Sequence, residues 1–352
     1  MEIHKSTGLC IPFDQYMALS LYHPEEGYYT SEREKIGKNG DFYTSSSVSS
    51  VFGWIWSDVF RRLMHDKNLP PAILEFGAGN GSFAKHVLDR WKQEDRSSYK
   101  KLIYHIVEHS PSHRTRIAET LESHSNVHLY ESFSAIKQQV ERFHGIVYAN
   151  ELLDAMPVKV VRKRNGHLEE MHVSVTPNQT LYELWKPAAL QTTAAKRLSK
   201  SRNGTRGEVP VFMTKWLHNL YDWLDRKSVV YFVDYGYKEE EWKLPHLRSG
   251  SIRGYRKHQL ISDILTFTGE MDLTSHVDWE TVRAEGRLGG MVNSELMSQA
   301  NFLLENGILN YLKNHDGSDP FSEEAKTSRA IRSFLLNSEL GEGFQVLRQV
   351  KA

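Results

Sequence analysis

The spacing of apolar residues changes several times along this chain, and each change marks an element. Phe13, Tyr16, Met17, Ser20 and Leu21 fall at helical spacing behind Pro12, and His23-Pro24 ends that helix. Val48, Val51, Phe52, Ile55, Trp56, Val59, Phe60 and Leu63 recur at three and four, predicting a strongly amphipathic helix whose aromatics belong to a core. From Pro70 the pattern alternates. A strand at Ile73–Phe76 leads to a helix reaching about Trp91, and a strand at Leu102–Glu108 to a helix from Pro111 to about Ser123. Val127–Tyr130 and Gly145–Ala149 read as further short strands. Such alternation predicts an α/β fold, a mostly parallel sheet with helices on both faces.

The alternation then breaks. Val158 to Val175 reads as two alternating strands joined by Asn165-Gly166, a strong hairpin signal. Residues 186–206 are polar and basic, with Lys196, Arg197, Lys200, Arg202 and Arg206. They read as a flexible insertion loop, with a clamp for an acidic partner as the alternative. The α/β pattern resumes with a helix near Val211–Leu224 and a strand at Val229–Asp234, and a last strand around Phe344–Gln349 suits an antiparallel addition to the sheet edge.

The chemistry concentrates where the first of these strands ends. Ile73-Leu74-Glu75-Phe76-Gly77-Ala78-Gly79-Asn80-Gly81-Ser82 runs from an apolar strand through an acid and three alternating glycines into a helix. Glycine lets backbone turn tightly and lie against a ligand. The helix N-terminus beyond it offers free N–H donors. A dinucleotide fingerprint would need a third glycine where Ser82 stands, so Gly77, Gly79 and Gly81 point to another nucleotide-type cofactor. Glu108 ends the next strand, where it can accept hydrogen bonds from both hydroxyls of an adenosine ribose, with a solvated strand-end glutamate as the plainer alternative.

At the carboxyl end of the fourth strand stands Tyr148-Ala149-Asn150-Glu151-Leu152-Leu153-Asp154-Ala155-Met156-Pro157, beside the crevice where open α/β sheets bind ligands. If a helical turn starts at Asn150, Glu151 and Asp154 share one face and two carboxylates are available to orient a cationic nucleophile. Asn150 as an N-cap with acids in the first turn is the plainer alternative. Asp234-Tyr235-Gly236-Tyr237 ends another strand on the same edge. His105-Ile106-Val107-Glu108-His109 matches a zinc-peptidase pattern that needs a helix. On a strand, residues four apart stand roughly 13 Å from each other, so no metal is expected.

Composition narrows the class. The 352 residues carry 44 basic and 44 acidic side chains, which gives no net field favouring nucleic acid or an anionic membrane. Cys10 is the only cysteine, so no disulfide framework or thiolate cluster arises. No apolar run approaches the ~20 residues of a membrane span. Met1-Glu2-Ile3-His4-Lys5 shows neither an apolar signal core nor an arginine-rich presequence, and the chain reads as a cytoplasmic protein.

Together these motifs resemble class I S-adenosylmethionine methyltransferases, and specifically the MidA-type protein-arginine methyltransferases, a family that includes a mitochondrial respiratory-complex assembly methyltransferase. The resemblance runs through Gly40-Asp41-Phe42-Tyr43-Thr44-Ser45, the Glu75–Gly81 motif, Val107-Glu108, Ala149–Pro157, Asp234-Tyr235-Gly236-Tyr237, Arg253-Gly254-Tyr255, Asp272–Asp278 and Phe302-Leu303. It implies S-adenosylmethionine as donor and an arginine of a partner protein as acceptor. It also implies that Glu75 and the glycine turn hold the methionine end, that Glu108 holds the ribose and Ser132-Phe133 the adenine, and that Asp41 joins the cofactor site. Glu151, Asp154 and Asn150 are the implied acceptor-side residues. The chain departs from the family at Ser46-Ser47, where Pro-Glu is usual, and at Leu152-Leu153, where an aromatic pair is usual.

The expected organisation is an N-terminal helical segment over 1–65, the first half of the cofactor core over 66–155, an insertion with hairpin and basic loop over 156–227, and the rest of the core over 228–352. Oligomerisation is left open, and no nucleic acid or membrane partner is expected. A non-catalytic assembly factor that binds the donor, and a methyltransferase acting on RNA or a small molecule, are the alternative functions. An NAD-dependent oxidoreductase is opposed by the glycine spacing.

Overall fold

In the computed structural model, residues 10–31, 49–312, 319, 322–336 and 343–352 are described. They fall into two compact units. One comprises the described residues up to 31 with 153–219 and 236–285; the other comprises 49–152, 220–235 and the residues from 286 onward.

The first unit is built on a five-stranded antiparallel sheet. Strand β1 (Cys10–Pro12) pairs with one of the strands that form the hairpin anticipated from Asn165-Gly166. The later unit supplies β2 to β5, so the hairpin strands are β6 (Lys159–Arg164) and β7 (His167–Val175). Both turn residues adopt positive φ, 49° at Asn165 and 83° at Gly166, as a two-residue turn that matches strand twist demands. β8 (Leu181–Pro187) pairs with β7, and β9 (Arg206–Val209) with β6. The helix Phe13–Tyr22 buries Phe13, Tyr16, Met17 and Leu21 in a core that includes Val158, Val160, Met171, Val173, Met271 and Leu273.

Residues 186–206 are not the expected loop. A helix forms over Thr193–Lys200, with the Thr192 hydroxyl accepting the Ala195 N–H. Ala194, Ala195 and Leu198 lie at helical spacing and are buried against Val161 and Val209. Two small alanines and one leucine give an apolar stripe too slight to stand out among the charges.

Glu208 on β9 ties this unit together. Its buried carboxylate accepts from the Ser251 N–H at 2.9 Å, the Ser251 hydroxyl at 3.0 Å and the Ile252 N–H at 3.1 Å. Replacing it strands three donors in a water-poor setting. Glu208→Ala should therefore destabilise this unit by about 2–4 kcal/mol, read as a lowered denaturation midpoint. A midpoint equal to wild type would show that water replaces the carboxylate at no cost. Further along, β11 (Arg253–Arg256) lies between β12 (Gln259–Ile261) and β13 (Asp272–Thr274), and β14 (Val277–Asp278) pairs with Gly236 and Tyr237.

The second unit carries the α/β pattern. Its strands are β2 (Ala72–Phe76), β3 (Ile103–Val107), β4 (Val127–Tyr130), β5 (Ile146–Asn150), β10 (Val229–Tyr237, through Tyr235), β15 (Met291–Ser298) and β16 (Phe344–Lys351). They lie in the order β15-β16-β10-β5-β2-β3-β4. Pairings from β10 to β4 are all parallel, whereas β16 is antiparallel to both β10 and β15. β16 is the antiparallel addition the sequence implies, but it lies inside the sheet. The edge is β15, whose polar residues Asn293, Ser294 and Glu295 and whose irregularity between Val292 and Glu295 hide its period.

Helices Ser82–Glu94, Pro111–Thr120 and Phe133–Gln139 connect the parallel strands. The helix Ser50–Lys67 packs on the sheet through Trp56, which stacks on Phe302 at 4.5 Å and meets Tyr148 and Tyr231 edge-on. It crosses Ser82–Glu94 at Gly53, where a Cβ would stand 2.5 Å from the His86 Cβ. The consequence for function is topological. The chain winds outward from β2 to β4, then returns to β5, so the order reverses between β2 and β5. A crevice at the carboxyl ends of those two strands is where such sheets hold ligands.

Candidate active site

At the end of β2, Gly77, Gly79 and Gly81 all take positive φ, at 71°, 57° and 81°. A side chain at Gly77 would meet Leu152 Cδ1 at 3.0 Å, and one at Gly81 would meet the Ile117 Cα at 3.3 Å. The turn is thus pinned by β5's extension on one side and by the Pro111–Thr120 helix on the other. Gly81 caps the helix Ser82–Glu94, whose first turn leaves N–H groups facing the crevice end.

Glu108 follows β3 and is buried. Its Oε2 accepts the Gly79 N–H at 3.2 Å and its Oε1 the Ser110 N–H at 2.9 Å. Ser110 in turn caps the next helix through the His113 N–H. Each carboxylate oxygen has two lone pairs, so a fixed carboxylate with one bond per oxygen retains one acceptor site on each for a vicinal diol. Phe133 packs edge-on against Phe76 at 5.2 Å, which sets it beside the start of the glycine turn. Ser132 is differently engaged: its hydroxyl accepts the Ala135 N–H and caps the helix Phe133–Gln139. Asp41 lies outside the described residues.

Glu75 does not stand where a direct hold on a ligand would need it. Its carboxylate is turned into the core, where it accepts the Tyr104 hydroxyl at 2.8 Å. Desolvation is the main force on it, opposed by the Tyr104 hydrogen bond and helped by the charge of Glu108, and the net effect pushes its pKa up to about 8. Strand alternation explains the placement: Glu75 and Tyr148 are register partners on adjacent strands and share the core face.

This sets a pH dependence. Between the ordinary carboxyl value of 4.5 and about 8, the folded chain holds a proton that the unfolded chain has lost. Stability contributed by the protonated form is present below that window and is lost as pH rises through it. Glu75→Gln should remove the slope. Without ligand, the variant should exceed wild type in stability at pH 8.5, by up to about 4 kcal/mol, and lose the advantage by pH 4. Parallel stability–pH curves for the two proteins would contradict this assignment.

The acceptor side is arranged otherwise than a helical turn would give. β5 runs through Asn150, and the Glu151 N–H donates to the Val233 carbonyl at 2.9 Å. That bond extends pairing with β10, so the neighbouring strand captures the backbone before a helix can. Glu151 then takes a left-handed φ of 52°, unusual for a residue with a side chain. The Asn150 Nδ2 donates to Glu151 Oε1 at 2.8 Å, and the Asn150 Oδ1 is buried without a hydrogen-bond partner. An orphaned acceptor beside a held carboxylate suits a ligand rich in N–H groups.

Asp154 belongs to the first unit and does not share a helical face with Glu151. There it is buried, and its carbonyl accepts the Ser275 N–H. It is also an electrostatic neighbour of the Tyr29 hydroxyl, which donates to Asp272 at 2.8 Å. Tyr29 and Tyr104 were not anticipated from the sequence. For Tyr104 the signal was present, since period-two alternation places it on the face of Glu75, as it does Tyr148.

A family model of S-adenosyl-L-methionine-dependent methyltransferases matches residues 56–294. The chain belongs to this methyltransferase family. As a member it is an S-adenosyl-L-methionine-dependent methyltransferase, and the glycine turn, the Glu108 carboxylate and the helix N-terminus fit that donor. A protein solved from Burkholderia thailandensis with S-adenosyl-homocysteine bound is 27% identical, with a TM-score of 0.86 over 98% of this chain and 88% of its own. The Drosophila melanogaster protein arginine methyltransferase NDUFAF7 homolog, mitochondrial, is 27% identical over 82% of this chain and 69% of its own. The Danio rerio protein arginine methyltransferase NDUFAF7, mitochondrial, is 24% identical over 94% of this chain and 81% of its own.

One expectation is overturned by these relatives. The cytoplasmic location read from the N-terminus does not stand, because the Drosophila, Danio and Homo sapiens relatives are named as mitochondrial. Among the described residues no helix is long and apolar enough to cross a membrane.

Proposed function

We propose that this methyltransferase transfers the methyl group to an arginine side chain of a partner protein. The observation that carries the reading is Glu151: a carboxylate at the mouth of the β2/β5 crevice, held in left-handed backbone and fixed by Asn150. A guanidinium has a pKa near about 13.8 and is a poor nucleophile while fully protonated. Glu151 would bind it through charge-assisted hydrogen bonds, aim one nitrogen into the crevice and take a proton as the new bond forms. When bound, S-adenosyl-L-methionine supplies an electrophilic methyl group on a sulfonium. The glycine turn and Glu108 would hold that donor, with Phe133 flanking the start of the turn. The names of the Drosophila and Danio relatives support an arginine acceptor.

The reading is tested by incubating the purified enzyme with labelled S-adenosyl-L-methionine and a lysate from cells lacking it, then hydrolysing the labelled protein. Methylated arginine is the expected product. Label in RNA or in small molecules would overturn the protein acceptor. Donor binding with no label in any fraction would favour a non-catalytic assembly factor.

A further inference from the structure

The turn end of the first unit's sheet carries a surplus of positive charge. No acidic residue stands between Glu183 and Glu208, while Lys196, Arg197, Lys200, Arg202 and Arg206 do. The fold brings this segment against the β6–β7 hairpin. Lys163 Nζ donates to the carbonyls of Ser199 and Ser201 at 2.6 and 2.9 Å, closing the C-terminus of the helix Thr193–Lys200. The Gly204 N–H donates to the Lys163 carbonyl at 2.8 Å, and the Gly166 N–H to Asn203 Oδ1 at 3.1 Å. Hairpin turn and loop therefore form one continuous surface.

Some of the cations on and around it are already matched. Arg197 pairs with Asp278 at 2.8 Å and lies over Trp242. On the adjoining strands Lys159 pairs with Glu170, Arg162 with Glu169 and Arg206 with Glu183, so the nearby acids are occupied. Arg164, Lys196, Lys200 and Arg202 remain. All four are exposed and none has an ion-pair partner among the described residues. A favourable interaction with the helix C-terminus accounts for Lys200, and at most for Lys196 one turn earlier, but not for Arg164 or Arg202. In a chain with as many acids as bases, these four unmatched cations, gathered on the hairpin tip, the helix and the loop that follows it, form a local field that attracts an anionic partner.

We propose that this turn end of the sheet docks an acidic segment of the protein that the enzyme methylates. The inference rests on the protein-acceptor reading above, and it assigns substrate capture to residues outside the methyl-transfer machinery. Charge complementarity of this kind acts on encounter and is screened by salt. It should therefore lower KM without changing kcat.

The test uses fluorescence anisotropy with a labelled twelve-residue poly-glutamate peptide and, in parallel, a labelled twelve-nucleotide single-stranded RNA. Wild type should bind the peptide at 50 mM salt and lose about tenfold or more by 200 mM. The triple variant Arg164→Glu/Lys200→Gln/Arg202→Glu should weaken peptide binding about tenfold or more at 50 mM, with an unchanged denaturation midpoint as the check on folding. In the lysate assay the variant should need more substrate protein for the same labelling and reach the same maximum. Equal peptide binding by the folded variant would overturn the proposal. So would tighter binding of RNA than of peptide by wild type at 200 mM salt. A failed lysate assay with normal peptide binding would instead count against the protein-acceptor reading alone.

Discussion

Gly79→Val should weaken S-adenosyl-L-methionine binding by roughly a hundredfold or more. The glycine sits at φ 57°, and its N–H is one of the two donors that hold the Glu108 carboxylate. A valine disfavours left-handed backbone by about 1–2 kcal/mol and is worse than average because it is β-branched. Relaxing φ to a negative value would turn the N–H away from Glu108, forfeiting a charge-assisted bond of about 1.5–3 kcal/mol. Together these amount to a loss of affinity of roughly a hundredfold or more. Titration calorimetry measures the result directly. Gly166→Ala is the control, because Gly166 is also at positive φ, 83°, but faces open space in the hairpin of the other unit. It should lose stability and keep donor affinity. Equal donor affinity in Gly79→Val and wild type would remove the glycine turn from the cofactor site.

The second large effect falls on turnover alone. Glu151→Gln retains shape and most of the Asn150 contact but loses the charge and the basicity. S-adenosyl-L-methionine affinity should be unchanged, while kcat on a protein substrate falls by about 10²–10⁴. Asn150→Ala should produce a smaller loss, since the carboxylate survives but is no longer fixed at 2.8 Å. A wild-type rate in Glu151→Gln would shift the acceptor chemistry to another residue. A rate lost together with donor binding would make Glu151 part of the cofactor site instead.

Much of this arrangement is legible in the order of residues. The parallel half of the sheet was readable because its strands are buried on both faces and appear as short apolar runs between helical periods. The hairpin was readable because Asn165-Gly166 supplies two positive φ angles. The glycine turn was readable because its spacing encodes three such angles in five residues. What the sequence concealed has physical causes of its own. β15 is an exposed edge strand with polar residues, so no alternation marks it. The helix Thr193–Lys200 buries only small residues and one leucine among lysines and arginines.

The acceptor side is the clearest case of a local reading overruled. Asn150-Glu151-Leu152-Leu153-Asp154 has the composition of a capped helical turn. The Val233 carbonyl on β10 takes the Glu151 N–H, and that long-range bond decides the backbone. Glu75 makes the complementary point. Its position in the motif suggested a ligand contact, yet strand register turns it onto Tyr104 in the core, where burial raises its pKa.

The most direct test is a crystal structure of the enzyme with S-adenosyl-homocysteine bound. The sugar hydroxyls should sit on the two oxygens of Glu108, with the amino-acid end across Gly77 to Gly81 and the sulfur turned toward Glu151. Density for the ligand on the opposite rim of the sheet, or a sulfur facing away from Glu151, would contradict this account.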